Sequence, residues 1–102
     1  MTNQSILNII GRPAAGEQLA EECVEMSHAA MKYARILRGD SPTPVTLEET
    51  WRRLSEELCD VLVCADVLGL MPDVGMMYAK RQRWIQRLTD GGKYGADDLR
   101  AE

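Results

Sequence analysis

The 102-residue sequence predicts an all-α protein in which two long antiparallel helices, a third helix and a short N-terminal helix assemble into helical bundles by oligomerisation. Three observations carry this expectation. Apolar residues recur at alternating spacings of four and three over two long segments, which puts a continuous stripe on one side of a helix. Glycine and proline fall between those segments and break them apart. No run alternates apolar and polar residues for long enough to read as a strand.

At the N-terminus the apolar run Ile6 to Ile10 is ended by Gly11 and Pro13, which predicts one or two turns of helix and makes residues 1–15 an appendage. From Glu17 to Arg38 the stripe of the first long helix is Leu19, Cys23, Met26, Ala30, Tyr33 and Leu37, and Gly39 ends it. Gly39 to Thr46 contains Asp40, Ser41, Pro42 and Pro44, the composition of a surface linker. Thr46 and Glu49 have the spacing of a capping box, in which each side chain takes up the other residue's free backbone N–H. A second long helix then runs to about Leu68 on the stripe Trp51, Leu54, Leu58, Val61, Ala65 and Leu68. After Gly69 and Pro72, Asp73 opens a third helix to about Leu88, with Val74, Met77, Tyr78, Trp84, Ile85 and Leu88 expected to face inward. Residues 89–102, which include Gly91, Gly92 and Gly95, read as a flexible tail.

The length suits one domain spanning residues 1–102, able to close a core without disulfides. With 5% aromatic residues and no Phe, that core is mostly aliphatic. Twelve basic against sixteen acidic residues give a net charge of −4, which argues against a nucleic-acid polymer as partner. Cys23, Cys59 and Cys64 show no CxxC spacing and read as reduced, semi-buried thiols. Neither a signal peptide nor an apolar run long enough for a bilayer is present, so the expectation is a soluble, cytoplasmic protein with no membrane partner.

The chemistry lies in a repeated acidic signature. LAEECVEM at residues 19–26 and LSEELCDV at residues 54–61 agree as Leu-x-Glu-Glu-x-x-acid-apolar, an offset of 35 residues from Leu19 to Leu54. The acids three apart, Glu22/Glu25 and Glu57/Asp60, share a helix side, and both pairs are expected beside the buried stripe. An antiparallel pairing of the two helices would bring them toward one space, where repulsion demands either protons or a divalent cation. A lone ExxE is ordinarily a solvated acidic face. Such faces usually place Lys or Arg four residues on, whereas here Met26, Ala29, Val61 and Cys64 follow at that spacing; only Glu57 has a basic neighbour so placed, Arg53 on its N-terminal side. Carboxylate ligands suit Mg²⁺, with Mn²⁺ as a substitute, and no Cys/His constellation suggests zinc.

Glu21-Glu22-x-x-Glu25 followed by Glu57-x-x-Asp60 resembles the EExxE…ExxD signature of the MazG-like all-α nucleotide pyrophosphohydrolases, over about Gln18 to Leu88. The resemblance implies a magnesium-dependent enzyme converting nucleoside triphosphates to monophosphates and pyrophosphate. It makes Glu22, Glu25, Glu57 and Asp60 the metal ligands and Glu21 a candidate catalytic group for the attacking water. Lys80 and Arg83, on the face shared with Arg87, correspond to the phosphate-gripping residues of the last helix, and Lys32 is a further candidate phosphate contact. The 31 residues between Glu25 and Glu57 form a somewhat longer gap than in many members, with the extra length in the Pro-containing linker.

Broad apolar faces, to which Ala20, Val24, Met31 and Ala34 contribute, predict a homodimer or homotetramer. Three other readings fit parts of the pattern. Phosphoribosyl-ATP pyrophosphohydrolase shares the chemistry; Glu25-x-x-His28 matches an element of carboxylate-bridged di-iron bundles; and the stripes alone would suit a non-enzymatic helical interaction module.

Overall fold

The computed structural model describes residues 2–40 and 44–90, so the middle of the linker and residues 91–102 of the expected tail lie outside the described residues. Regular structure among the described residues is entirely helical: α1 (Asn3–Ile10), α2 (Arg12–Arg38), α3 (Leu47–Leu68) and α4 (Val74–Asp90). The chain divides into two compact units, Met1–Met71 and Pro72–Glu102. No helix among the described residues is long and apolar enough to cross a membrane.

Local chemistry accounts for the helix ends. Thr2 caps α1, its hydroxyl accepting from the Ser5 amide at 3.1 Å while the Ser5 hydroxyl accepts from the Thr2 amide at 3.2 Å. The Glu49 amide donates to the Thr46 hydroxyl at 3.1 Å, which starts α3 where the sequence predicts, although of the expected reciprocal capping box this is the half seen among the described residues. Asp73 does the same for α4, accepting from the Met76 amide at 2.9 Å. Gly39 (φ 74°) and Gly69 (φ 81°) close α2 and α3 in the left-handed conformation that a side chain would disfavour.

The start of α2 differs from expectation. The helix begins at Arg12, not Glu17, because Gly11 alone ends α1 and Pro13 sits in the first turn, where its missing N–H leaves no bond unmade. Residues 12–15 therefore belong to the main helix, and Ala15 is only 3% exposed. Helix α1 packs on α3, and the Asn3 side-chain amide donates to the Asp66 carboxylate at 2.8 Å.

Helices α2 and α3 form the body of the first unit and run antiparallel. Arg12 donates to the Leu68 carbonyl at 3.1 Å, Glu22 meets Glu57 in mid-helix, and the rings of Tyr33 and Trp51 lie 5.3 Å apart, so partners ascend one helix as they descend the other. Along this seam the buried or half-buried residues of α2 are Ala15, Leu19, Glu22, Met26, Ala29, Tyr33 and Ile36; those of α3 are Thr50, Leu54, Glu57, Val61, Cys64 and Val67.

Of the apolar stripes expected from the sequence, Leu19, Met26, Tyr33, Leu54, Val61, Ala65 and Leu68 are half-buried, but the seam is turned by about half a residue, roughly 50°, at the alternate positions. Cys23, Ala30, Leu37, Trp51 and Leu58 are exposed, while Glu22, Ala29, Ile36, Thr50 and Glu57 take their places. The contact therefore mixes large apolar residues such as Leu19, Met26, Ile36, Leu54 and Val61 with the small Ala29 and the carboxylates of Glu22 and Glu57. Cys23 and Cys59 are consequently exposed, and only Cys64 is half-buried.

In the second unit α4 buries none of its residues. Val74, Met77, Tyr78 and Trp84, expected to face inward, are exposed, whereas Ile85 and Leu88 are half-buried.

Candidate metal centre

The rotation of the seam turns the acidic signature from a flank into a centre. Glu22 and Glu57 lie on the contacting faces of α2 and α3, and Glu25 follows Glu22 by one turn. One carboxylate oxygen from each of Glu22, Glu25 and Glu57 lies within 4.8 Å of the other two. Glu57 is 2% exposed, an uncommon position for a carboxylate.

Each of the two seam carboxylates has one oxygen held and one bare. Arg53 Nη2 reaches Glu57 Oε1 at 2.7 Å, and Gln18 Nε2 donates to Glu22 Oε1 at 2.9 Å. Among the described residues, Glu57 Oε2 and Glu22 Oε2 are buried without a hydrogen-bond partner. Bare buried carboxylate oxygens are costly unless a proton or a cation comes to them.

The electrostatics agree. Burial pushes the Glu57 carboxyl above its ordinary value of 4.5; Arg53 pulls it down, and Glu25, Asp60 and Glu22 push it up again. Burial likewise raises the Cys64 thiol, helped by the charges of Glu22 and Asp60 and by Cys23. An all-oxygen donor set with orphaned buried atoms fits a hard divalent cation such as Mg²⁺ or Mn²⁺.

Of the expected ligands, Glu22, Glu25 and Glu57 are brought together. Asp60 is exposed and lies outside the triplet, although its charge reaches Glu57. Glu21 is exposed and outside it too, as is His28, the histidine of the Glu-x-x-His element.

Lys32 is half-buried and forms no ion pair among the described residues. With Arg53 it walls two hollows, one of about 390 Å³ shared with Glu25 and His28, the other of about 230 Å³ shared with Val45, Glu49 and Thr50. Lys80, Arg83 and Arg87 lie on α4, in the second unit, where with Met77, Arg81 and Trp84 they line a shallow hollow of about 580 Å³.

Two polar residues of the site escaped the sequence reading. Motif spacing does not distinguish Gln18, and it marks Arg53 only as a neighbouring charge. The signal was available: each stands four residues before its glutamate.

Comparison of the chain with protein-family models, with curated proteins and with solved structures finds no match.

Proposed function

We propose that the chain is a MazG-like, magnesium-dependent nucleotide pyrophosphohydrolase, converting a nucleoside triphosphate and water to the monophosphate and pyrophosphate. The observation that supports it most is the convergence of Glu22, Glu25 and Glu57 with two buried oxygens left bare. A helical interaction module has no use for such atoms, which destabilise the fold without a cation.

On this reading Glu22, Glu25 and Glu57 hold Mg²⁺ or Mn²⁺, and Asp60 completes the set from the next turn of α3. The bound cation supplies charge neutralisation and a more acidic water. Glu21 orients that water or takes its proton, the role the resemblance assigns it. Lys32 holds phosphate oxygens and offsets the charge of the departing pyrophosphate, the task that the resemblance also assigns to Lys80 and Arg83.

Assembly into a homodimer or homotetramer is part of the same proposal. Trp51, Leu58, Leu62 and Val63 on α3, with Val24 and Met31 on α2, are large apolar side chains left 41% exposed or more. Apolar surface at that density on two packed helices is the mark of a further helix–helix contact. A cytoplasmic setting, where nucleotides and Mg²⁺ are plentiful, follows from the activity.

The test is turnover. The purified protein is incubated with Mg²⁺ and a panel of ribo- and deoxyribonucleoside triphosphates. Release of pyrophosphate and monophosphate that stops with EDTA and in Glu57→Gln supports the proposal. No turnover of any triphosphate by a protein that binds Mg²⁺ contradicts it.

A further inference from the structure

The acidic repeat extends one turn further toward the N-terminus than its acids. Gln18 precedes Glu22 by four residues, and Arg53, at the same offset of 35 residues from Gln18, precedes Glu57 by four. Both side chains do the same thing in space. Gln18 Nε2 donates to Glu22 Oε1 at 2.9 Å, and Arg53 Nη2 reaches Glu57 Oε1 at 2.7 Å. In both cases Oε1 is occupied from the N-terminal side and Oε2 is left buried with no partner among the described residues.

A glutamate carboxylate rotates about its terminal torsion over a broad, roughly two-fold well, so packing alone does not fix which oxygen faces inward. A donor on one oxygen does. The donors come from the preceding turn of the same helix, so each orients its glutamate whatever the other helix does.

We propose that Gln18 and Arg53 are a matched pair of positioning residues, which hold the outer oxygens of Glu22 and Glu57 so that the inner oxygens are presented together to one divalent cation. This rests on the metal-binding reading above and adds to it which residues set the ligand geometry. Neither side chain touches the ion. The pair is also unequal: Gln18 orients without charge, whereas Arg53 orients and carries a positive charge that opposes cation binding.

Mn²⁺ alone is the probe, titrated by calorimetry and by the Mn²⁺ spin-resonance line shape, which reports ligand symmetry without any turnover. Gln18 and Arg53 are both exposed, so their variants retain the helical pair. Gln18→Leu removes a donor at constant charge and is expected to bind Mn²⁺ roughly 10-fold more weakly than the natural protein, with an altered line shape. Arg53→Leu and Arg53→Gln remove the same charge and differ in the donor, so Arg53→Gln is expected to bind roughly 10-fold more tightly than Arg53→Leu. Rescue by the amide separates orientation from electrostatics.

The proposal is overturned if Gln18→Leu matches the natural protein and Arg53→Leu matches Arg53→Gln, each in affinity and line shape. A natural protein that binds no Mn²⁺ overturns the metal-binding reading itself, and this inference with it. The titration of the unaltered chain thus tells the two failures apart.

Discussion

Arg53 and Glu57 form an ion pair of 2.7 Å across one turn of α3, joining a side chain that is 63% exposed to one that is 3% exposed. The arginine spans the distance from solvent to the middle of the helix seam, and it reaches only one of the two oxygens of the carboxylate beneath it. Surface pairs of this spacing contribute little to stability on their own. This one matters for what it leaves over: a second, buried oxygen with no partner among the described residues, on a carboxylate clustered with two more glutamates.

A consequence for pH follows. The folded Glu57 carboxyl titrates above its ordinary 4.5, chiefly because of burial, so the folded state binds its proton more readily than the unfolded chain. The stabilising contribution is complete below 4.5 and disappears as pH rises through the raised value. In EDTA, the thermal midpoint is expected to rise as pH is lowered from neutrality into that window. Glu57→Gln, a neutral isostere, is expected to melt higher than the natural protein at neutral pH and to lose this part of the pH dependence. A midpoint that falls steadily with acid, identically in both proteins, would refute the assignment.

Cation binding should reverse the balance. Mg²⁺ or Mn²⁺ bound only by the folded state is expected to add about 2.7 kcal/mol once the free ion is about 100-fold above its Kd. Thermal scans with and without EDTA read this directly. Glu22→Gln and Glu57→Gln are expected to melt at the same temperature with and without the ion.

How much of this was legible in the sequence depends on the residue. The helices, the caps at Thr46 and Asp73 and the duplication of the acids were visible because each rests on local chemistry or on spacing. The facing of the helices was not. Cys23 outranks Glu22 in apolar character while Ala30 only matches Ala29 and Leu37 only matches Ile36, so periodicity favours a stripe turned by about half a residue from the true seam. Polar residues placed where a core residue belongs violate the local rule, and such violations gather at functional sites. Gln18 went unnoticed for a related reason: an exposed glutamine has no distinguishing chemistry until its partner is seen.

The close approach of α2 and α3 beside the triplet relies on Ala29, which is 9% exposed. Ala29→Leu overfills that contact and is expected to cost about 1–3 kcal/mol in chemical denaturation. It should also weaken Mn²⁺ binding, because the helices that carry Glu25 and Glu57 are forced apart. Unchanged affinity in a destabilised variant would show that the seam and the site are independent.

The uncovered face of α3 gives a separate test of assembly. Leu62 is 55% exposed, on the side of the helix that also carries Trp51 and Leu58. Leu62→Glu is expected to shift the natural oligomer to a monomer in sedimentation equilibrium while leaving the Mn²⁺ affinity of the triplet in place. A natural protein that is already monomeric would rule out this interface.

The central claim is that α2 and α3 present Glu22, Glu25 and Glu57 to one hard cation, and crystals grown with Mn²⁺ test it most directly through anomalous scattering. The account predicts a peak between the two helices, within about 2.2 Å of carboxylate oxygens from these three residues. Anomalous density confined to other surfaces, with Glu22 Oε2 and Glu57 Oε2 still without a partner at saturating Mn²⁺, would contradict it.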